Sequence, residues 1–323
     1  MKCPECGTNR KHKEGMACSC GYKFILDPKK TPYVSDGKFL ALIRSVSGND
    51  TYYFTRNQLY AQWCRRKNRH RIVAVVCLVI AAGMLSIPFM VGAKLVPMIF
   101  LSAMGALLAC IGIGILVSGP PKESEVDNLL MTWQNAGGKI DKLIEKPRLQ
   151  PPPPEWSEPD IYDYGFERGV IVERNLLVDL LVLNQFHAQQ NALVISEKGY
   201  PEYLVDRARD ALISNPELPV FLLHDATTIG MGMGERLATG NMLPLDGHPV
   251  IDLGLFPKDV ERMPGMKPVG AKNKGYHVPV DYLLFATLAG GMTTALAQEV
   301  ALGQLMAQQQ SWSDGGDTVV SFG

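Results

Sequence analysis

Four cysteines near the start of the chain carry the clearest chemistry. Cys3-Pro-Glu-Cys6-Gly7 and Cys18-Ser-Cys20-Gly21 are two short knuckles a dozen residues apart. Thiolates presented on two tight turns suit a tetrahedral metal ion, zinc above all. Gly7 and Gly21 follow the second Cys of each knuckle, where backbone N–H groups must turn toward sulfur. Four thiolates leave no open coordination position, so the expected zinc is structural rather than catalytic. A disulfide pair is the competing reading, and the cytoplasmic placement argued below disfavours it. A second chemistry lies far along the chain. Glu173 and Asp225 each close a short apolar run that reads as a strand. Neighbouring strand-end carboxylates are how an α/β fold holds a hard cation such as Mg²⁺.

The knuckles resemble a zinc ribbon over residues 1–25, with Cys-x-Cys in place of the commoner second Cys-x-x-Cys. Lys2, Arg10, Lys11, Lys13 and Lys23 make it basic, suited to nucleic acid or to anionic lipid. The net charge of zero hides an asymmetry: residues 1–71 carry +10 and the remainder −10. Residues 26–71 read as a basic juxtamembrane connector. Phe39, Leu40, Leu42 and Ile43 predict a short amphipathic helix, Gly48–Asp50 a turn and Tyr52–Phe54 a strand. Thr55 is placed to cap a helix running through Leu59 and Trp63.

Ile72–Val91 and Val96–Val117 are runs of about 20 apolar residues, enough to span a bilayer core. Only residues 92–95 separate them, which predicts a transmembrane helical hairpin over 72–117. Arg65, Arg66, Lys67, Arg69 and Arg71 abut the first run and the loop carries only Lys94, so both termini are expected in the cytoplasm, on an inner or plasma membrane. The first 30 residues are polar, and no signal peptide is expected. The runs hold no ionisable residue, which argues for an anchor rather than a proton relay or transporter. Small residues at Ser102, Gly105, Ala106, Ala109 and Gly112 allow close helix approach, within the hairpin or between copies in a homo-oligomer. Pro88 and Pro97 are placed to kink the spans. Cys77 and Cys110 lie within the runs as small hydrophobes, and Cys64 reads as a free thiol.

Residues 118–163 read as a linker. Leu129, Leu130, Trp133, Ile140, Leu143 and Ile144 predict two short helices split by Gly137-Gly138, before a stiff Pro151–Pro154 spacer and an acidic stretch to Asp163. A domain boundary is placed near residue 160. Residues 164–310 then alternate strands (169–173, 192–196, 219–225, 250–254) with helices (175–186, 202–214, 231–238). That order predicts a mostly parallel, doubly wound sheet with its site at the strands' C-terminal ends. Tyr282–Ala307 is apolar, yet Thr287, Thr293, Thr294, Gln298 and Glu299 favour two packed helices over a third span. Residues 311–323 form a tail.

Glu173, the run Ser196-Glu-Lys-Gly-Tyr-Pro201, then Leu218–Asp225 with Gly230, and Leu253–Asp259 together resemble the Toprim domain of the topoisomerase VI A subunit family, over roughly residues 168–262. The resemblance implies a metal-ligand or acid/base role for Glu173 and Mg²⁺ binding at an Asp-x-Asp-Pro-x-Gly segment. Here that segment reads Asp225-Ala-Thr227-Thr228-Ile-Gly230, with Thr227 at the second acid. A Thr hydroxyl is a far weaker Mg²⁺ ligand than a carboxylate. The membrane hairpin and linker also occupy the place of the nucleophile-bearing winged helix, which excludes a topoisomerase.

Around these acids, His224 would point to the opposite face if its strand persisted. His187 reads as a cap or packing residue, and Asp252 and Asp259 as further acids. Gly230-Met-Gly-Met-Gly234 lacks dinucleotide-binding spacing and suits close helix–sheet packing. The expectation is a membrane-anchored, non-catalytic binding or scaffold module for nucleic acid, nucleotide or protein. The alternative is a Mg²⁺-dependent phosphodiester-cleaving nuclease using Glu173 and Asp225.

Overall fold

A computed structural model describes residues 1–91, 95–117, 122–149, 165–240, 242–263 and 277–313. The expected hairpin loop at 92–94, the polyproline spacer with its acidic continuation, and residues 314–323 of the tail lie outside the described residues, as do the side chains of Lys67, Arg69 and Arg71. After the knuckles come α1 (Asp36–Val46), β1 (Phe54–Thr55), α2 (Arg56–Val91), α3 (Leu95–Val117), α4 (Glu123–Asn135) and β2 (Leu143–Ile144). Next are β3 (Arg168–Val172), α5 (Asn175–Leu183), α6 (Phe186–Gln189), β4 (Ala192–Ser196), α7 (Val205–Ser214), β5 (Val220–Leu223), α8 (Thr228–Met231) and α9 (Met233–Thr239). The described part closes with β6 (Val250–Asp252), α10 (Pro257–Val260), α11 (Phe285–Gln298) and α12 (Leu302–Ser313).

β4-β3-β5-β6 form a wholly parallel sheet, in that spatial order. Its side chains alternate without a break. Val170, Val172, Ala192, Val194, Phe221 and Leu223 join one core with α5 and α11. Ile171, Leu193, Ile195, Val220 and Leu222 join another with Ala208, Leu212, Met233 and Leu237 of α7 and α9. Helices thus cover both faces, the arrangement that buries a parallel sheet. The chain steps from β3 outward to β4 and then back across β3 to β5, so the direction of winding reverses between β3 and β5. That reversal opens a crevice at the strands' C-terminal ends.

The first core does not stop at the sheet. It runs on through Phe39, Leu42, Phe54, Leu59, Val126, Leu129, Trp133 and Ile144. Residues before and after the two apolar helices therefore pack on the α/β unit itself. Thr55 caps α2 as expected: its Oγ1 accepts from the Gln58 N–H while Gln58 Oε1 accepts from the Thr55 N–H, a reciprocal capping box. One linker expectation is corrected. Residues beyond Gly137-Gly138 form a strand, not a second helix, and β2 pairs in parallel with β1. The expected helices 175–186 and 231–238 are each broken in two. A left-handed Gln185 parts α5 from α6, and α8 begins at Thr228.

Among the described residues, one helical segment, Ile99–Leu116, is long and apolar enough to cross a membrane, and Val73–Ser86 of α2 is a shorter apolar stretch. Val79, Ile80, Phe100 and Leu107 stand exposed. α3 packs along α2 through small residues. A Cβ on Gly112 would lie 3.0 Å from the Ala74 carbonyl, and one on Gly105 3.2 Å from that of Ala81.

Candidate functional site

In the N-terminal knuckles, Cys3, Cys6, Cys18 and Cys20 bring their sulfurs within 4.8 Å of one another. Cys3 and Cys20 lie 3.7 Å apart and Cys6 and Cys18 3.5 Å. A tetrahedron with ~2.3 Å metal–sulfur bonds has edges of about 3.8 Å, so the cluster can hold a metal ion such as zinc. The thiols are free rather than disulfide-linked. Each knuckle closes on a glycine in the left-handed region, Gly7 at φ +73 and Gly21 at φ +97, whose N–H groups bond the Cys3 and Cys18 carbonyls. Few side chains take that conformation cheaply. Asp36, fully buried in the first turn of α1, ties the module to the body. It accepts from the Tyr22 hydroxyl at 2.7 Å and from the Ile25 and Leu26 N–H groups at 2.9 and 2.7 Å.

The second site lies in the crevice between β3 and β5. Glu173 follows β3, and its Oε2 accepts from the Asp225 N–H at 2.8 Å. The two acids are therefore brought together, with the Glu173 carboxylate bonded to the Asp225 backbone N–H. Asp225 is gripped by Arg174, with Nε at 2.7 Å and Nη2 at 3.0 Å, and accepts from the Val280 N–H at 2.8 Å. The same guanidinium reaches Asp281 at 2.6 Å. Asp281 is fully buried and also accepts from Thr55 Oγ1 at 2.7 Å and Asn57 Nδ2 at 3.1 Å. Arg174 thus joins two acids, Asp225 and Asp281. Thr227 caps α8, its Oγ1 accepting from the Gly230 N–H at 2.8 Å. Among the described residues, the four cysteines are the one group of three or more His, Cys, Asp or Glu able to share a metal.

Burial raises the Glu173 pKa, outweighing the N–H bond from Asp225 that lowers it. His224 sits past the end of β5, fully buried, with Nδ1 2.8 Å from the Asp225 carbonyl and Nε2 3.1 Å from an Asp252 oxygen. Burial lowers its pKa, but the Asp252 and Asp225 hydrogen bonds outweigh that, so its pKa is raised above the ordinary imidazole value. Asp252 is thereby paired with His224, and Asp259 is buried in α10. Gly230 packs so closely that a Cβ there would strike the Asp225 carbonyl and come within 2.9 Å of Glu173 Oε2. With a carboxylate facing it, that glycine serves close packing and not phosphate.

His187 is a packing residue in α6. Burial pulls its pKa down to about 4, so the folded state binds it neutral while the unfolded chain protonates near 6.5. The unfolded state thus takes up more protons between those values. Stability is expected to fall by about 3 kcal/mol as pH drops from 6.5 to 4. Urea titrations of the wild type and His187→Leu across that window check this, because the variant loses that part of the slope.

Asp281 was not legible as a site residue. Its signal is a single charge inside the apolar run Val278–Phe285, which calls for a buried cationic partner. Compared with protein-family models, curated proteins and solved structures, the chain matches none.

Proposed function

We propose that this chain is a membrane-anchored, cytoplasm-facing scaffold: a structural zinc ribbon and a Toprim-like α/β domain held on a transmembrane hairpin of α2 and α3, binding a partner without catalysis. One observation carries the non-catalytic reading. The acid that a Toprim site would offer to Mg²⁺, Asp225, already has both carboxylate oxygens bonded by a bidentate Arg174, a guanidinium it shares with Asp281. Recruiting a cation there requires breaking a buried ion pair, and Thr227 spends its hydroxyl on a helix cap. The −10 charge of residues 72–323 disfavours a polyanionic ligand and fits a protein partner better. Exposed valines and isoleucines on α2 and α3, with Ala74 and Ala81 facing Gly112 and Gly105, support the hairpin.

The test is incubation of the purified full chain with single- and double-stranded DNA and RNA in Mg²⁺ and in Mn²⁺. No cleavage above background is expected, and Asp225→Asn is expected to match the wild type. Metal-dependent cleavage that disappears in a folded Asp225→Ala protein would establish the nuclease alternative instead.

A further inference from the structure

Between the cysteine module and α1 lies an open cleft of about 900 Å³. Lys2, Lys11, Lys13, Lys29, Lys38 and Arg66 line it, and no acid does; Arg10 and His12 also border it but are paired with Glu14 at 3.2 Å and Asp27 at 2.9 Å. The five lysines are exposed and make no ion pair among the described residues. Such a concentration of like charge is self-repulsive and lowers in energy when an anion enters. Arg66 belongs to α2 and closes the wall by donating to the Ala41 carbonyl at 2.7 Å. The same helix continues from Arg66 to the apolar stretch that begins at Val73. Seven residues of helix cover about 10 Å. A bilayer has a hydrocarbon core of about 30 Å within a total of about 40–45 Å, so the headgroup layer is roughly 5–8 Å deep on each side. With the apolar stretch in hydrocarbon, Arg66 at the cleft wall lies about 2–5 Å beyond the headgroup layer, a gap that a long basic side chain can span.

We infer that this cleft is a binding site for the phosphate-bearing headgroup of an anionic lipid in the membrane that holds α2 and α3. The inference rests on the membrane-anchored reading above and names a ligand for it. It also gives the N-terminal basic charge a role separate from nucleic acid. Each lysine near an anionic surface contributes about a fivefold factor in affinity, so removing three is expected to weaken binding on the order of a hundredfold.

The test uses the detergent-solubilised full chain titrated with dioctanoyl phosphatidylglycerol, dioctanoyl phosphatidylcholine or sodium phosphate, with bound lipid followed by native mass spectrometry and calorimetry. Phosphatidylglycerol is expected to bind saturably, with phosphatidylcholine and phosphate far weaker. The triple variant Lys11→Gln, Lys13→Gln, Lys38→Gln is expected to lose the site. The charge-matched variant Lys23→Gln, Lys30→Gln, Lys139→Gln, altered outside the cleft, is expected to keep it. Equal loss in both triples, or equal binding of the two lipids, overturns the inference. Phosphate binding as tightly as phosphatidylglycerol assigns the cleft to soluble phosphates and overturns the lipid source. Alkaline carbonate extraction reads the other premise separately: release of the chain from membranes sinks the anchored reading, whatever the lipid titrations give.

Discussion

Arg174→Met is expected to lower the unfolding free energy by about 3–5 kcal/mol, the cost of leaving a buried charge without its partner. The residue holds two carboxylates at once, Asp225 and Asp281, both almost wholly buried. Burial alone would push the Asp281 pKa up, but the Arg174 charge and hydrogen bond outweigh it and hold it below the ordinary value. A depressed carboxylate contributes stability that is present above the unfolded-state pKa and is lost as pH falls through the folded one. In the variant that sign inverts: Asp281, buried without a cation, destabilises at neutral pH and less so in acid. Urea unfolding followed by tryptophan fluorescence should therefore show the gap between variant and wild type narrowing as pH falls toward 4. Adding Asp281→Asn to Arg174→Met should restore part of the loss, since the two positions form one network. A single-variant loss under 1 kcal/mol would exclude the clasp as a main tie.

Removing the metal from the cysteine module is expected to unfold residues 1–25 outright while leaving the α/β body folded. The module's own core is slight: Cys3, Cys18 and Phe24 are buried, with Met1, Met16 and Tyr22 packed against them. Burying a Phe side chain contributes about 2–3 kcal/mol. Ordering each backbone residue costs about 1–2 kcal/mol, so 25 residues far exceed what that core returns. A structural zinc contributes about 10–16 kcal/mol in small Cys-ligated peptides, several times what that core can supply. One metal per chain is expected by elemental analysis of the wild type, and none in Cys3→Ser or Cys18→Ser. Protease cutting after Lys11 and Lys13 should appear in these variants and after chelation, with the body's melting temperature unchanged. A metal-free wild type whose module resists protease would defeat the assignment.

Much of the sheet was legible because short continuous apolar runs separated by helices leave little choice but a buried parallel sheet. Ala192–Ser196 was expected as a strand and is one, and the four strands run in parallel as their helix-separated order requires. The linker failed for a physical reason. Ile140, Leu143 and Ile144 recur at helical spacing, yet Leu143 and Ile144 are held extended by Phe54 and Thr55, a partner far away in sequence that no local pattern reveals. The cysteine site needed only spacing, since its ligands lie on two short turns. The strand-end acids were legible as residues but not as chemistry. Whether Asp225 faces a cation site or an arginine depends on Arg174 and on the returning segment at Val280, and on an Asp281 that draws Thr55 and Asn57 in from the far end of the chain.

That last link sets the order in which the molecule can be made. Thr55 waits for Asp281, 226 residues later, Gln58 for the Leu283 carbonyl and Arg65 for that of Tyr282. At a ribosomal pace of about 5–20 residues per second, the gap is roughly 10–45 s. During that interval the strands and helices that share a core with Phe39, Phe54 and Leu59 are completed one after another. Both apolar helices emerge inside the same interval. The nascent chain must therefore commit its apolar helices before its core can close, and the base of α2 gains these bonds only once residues 281–283 have been made.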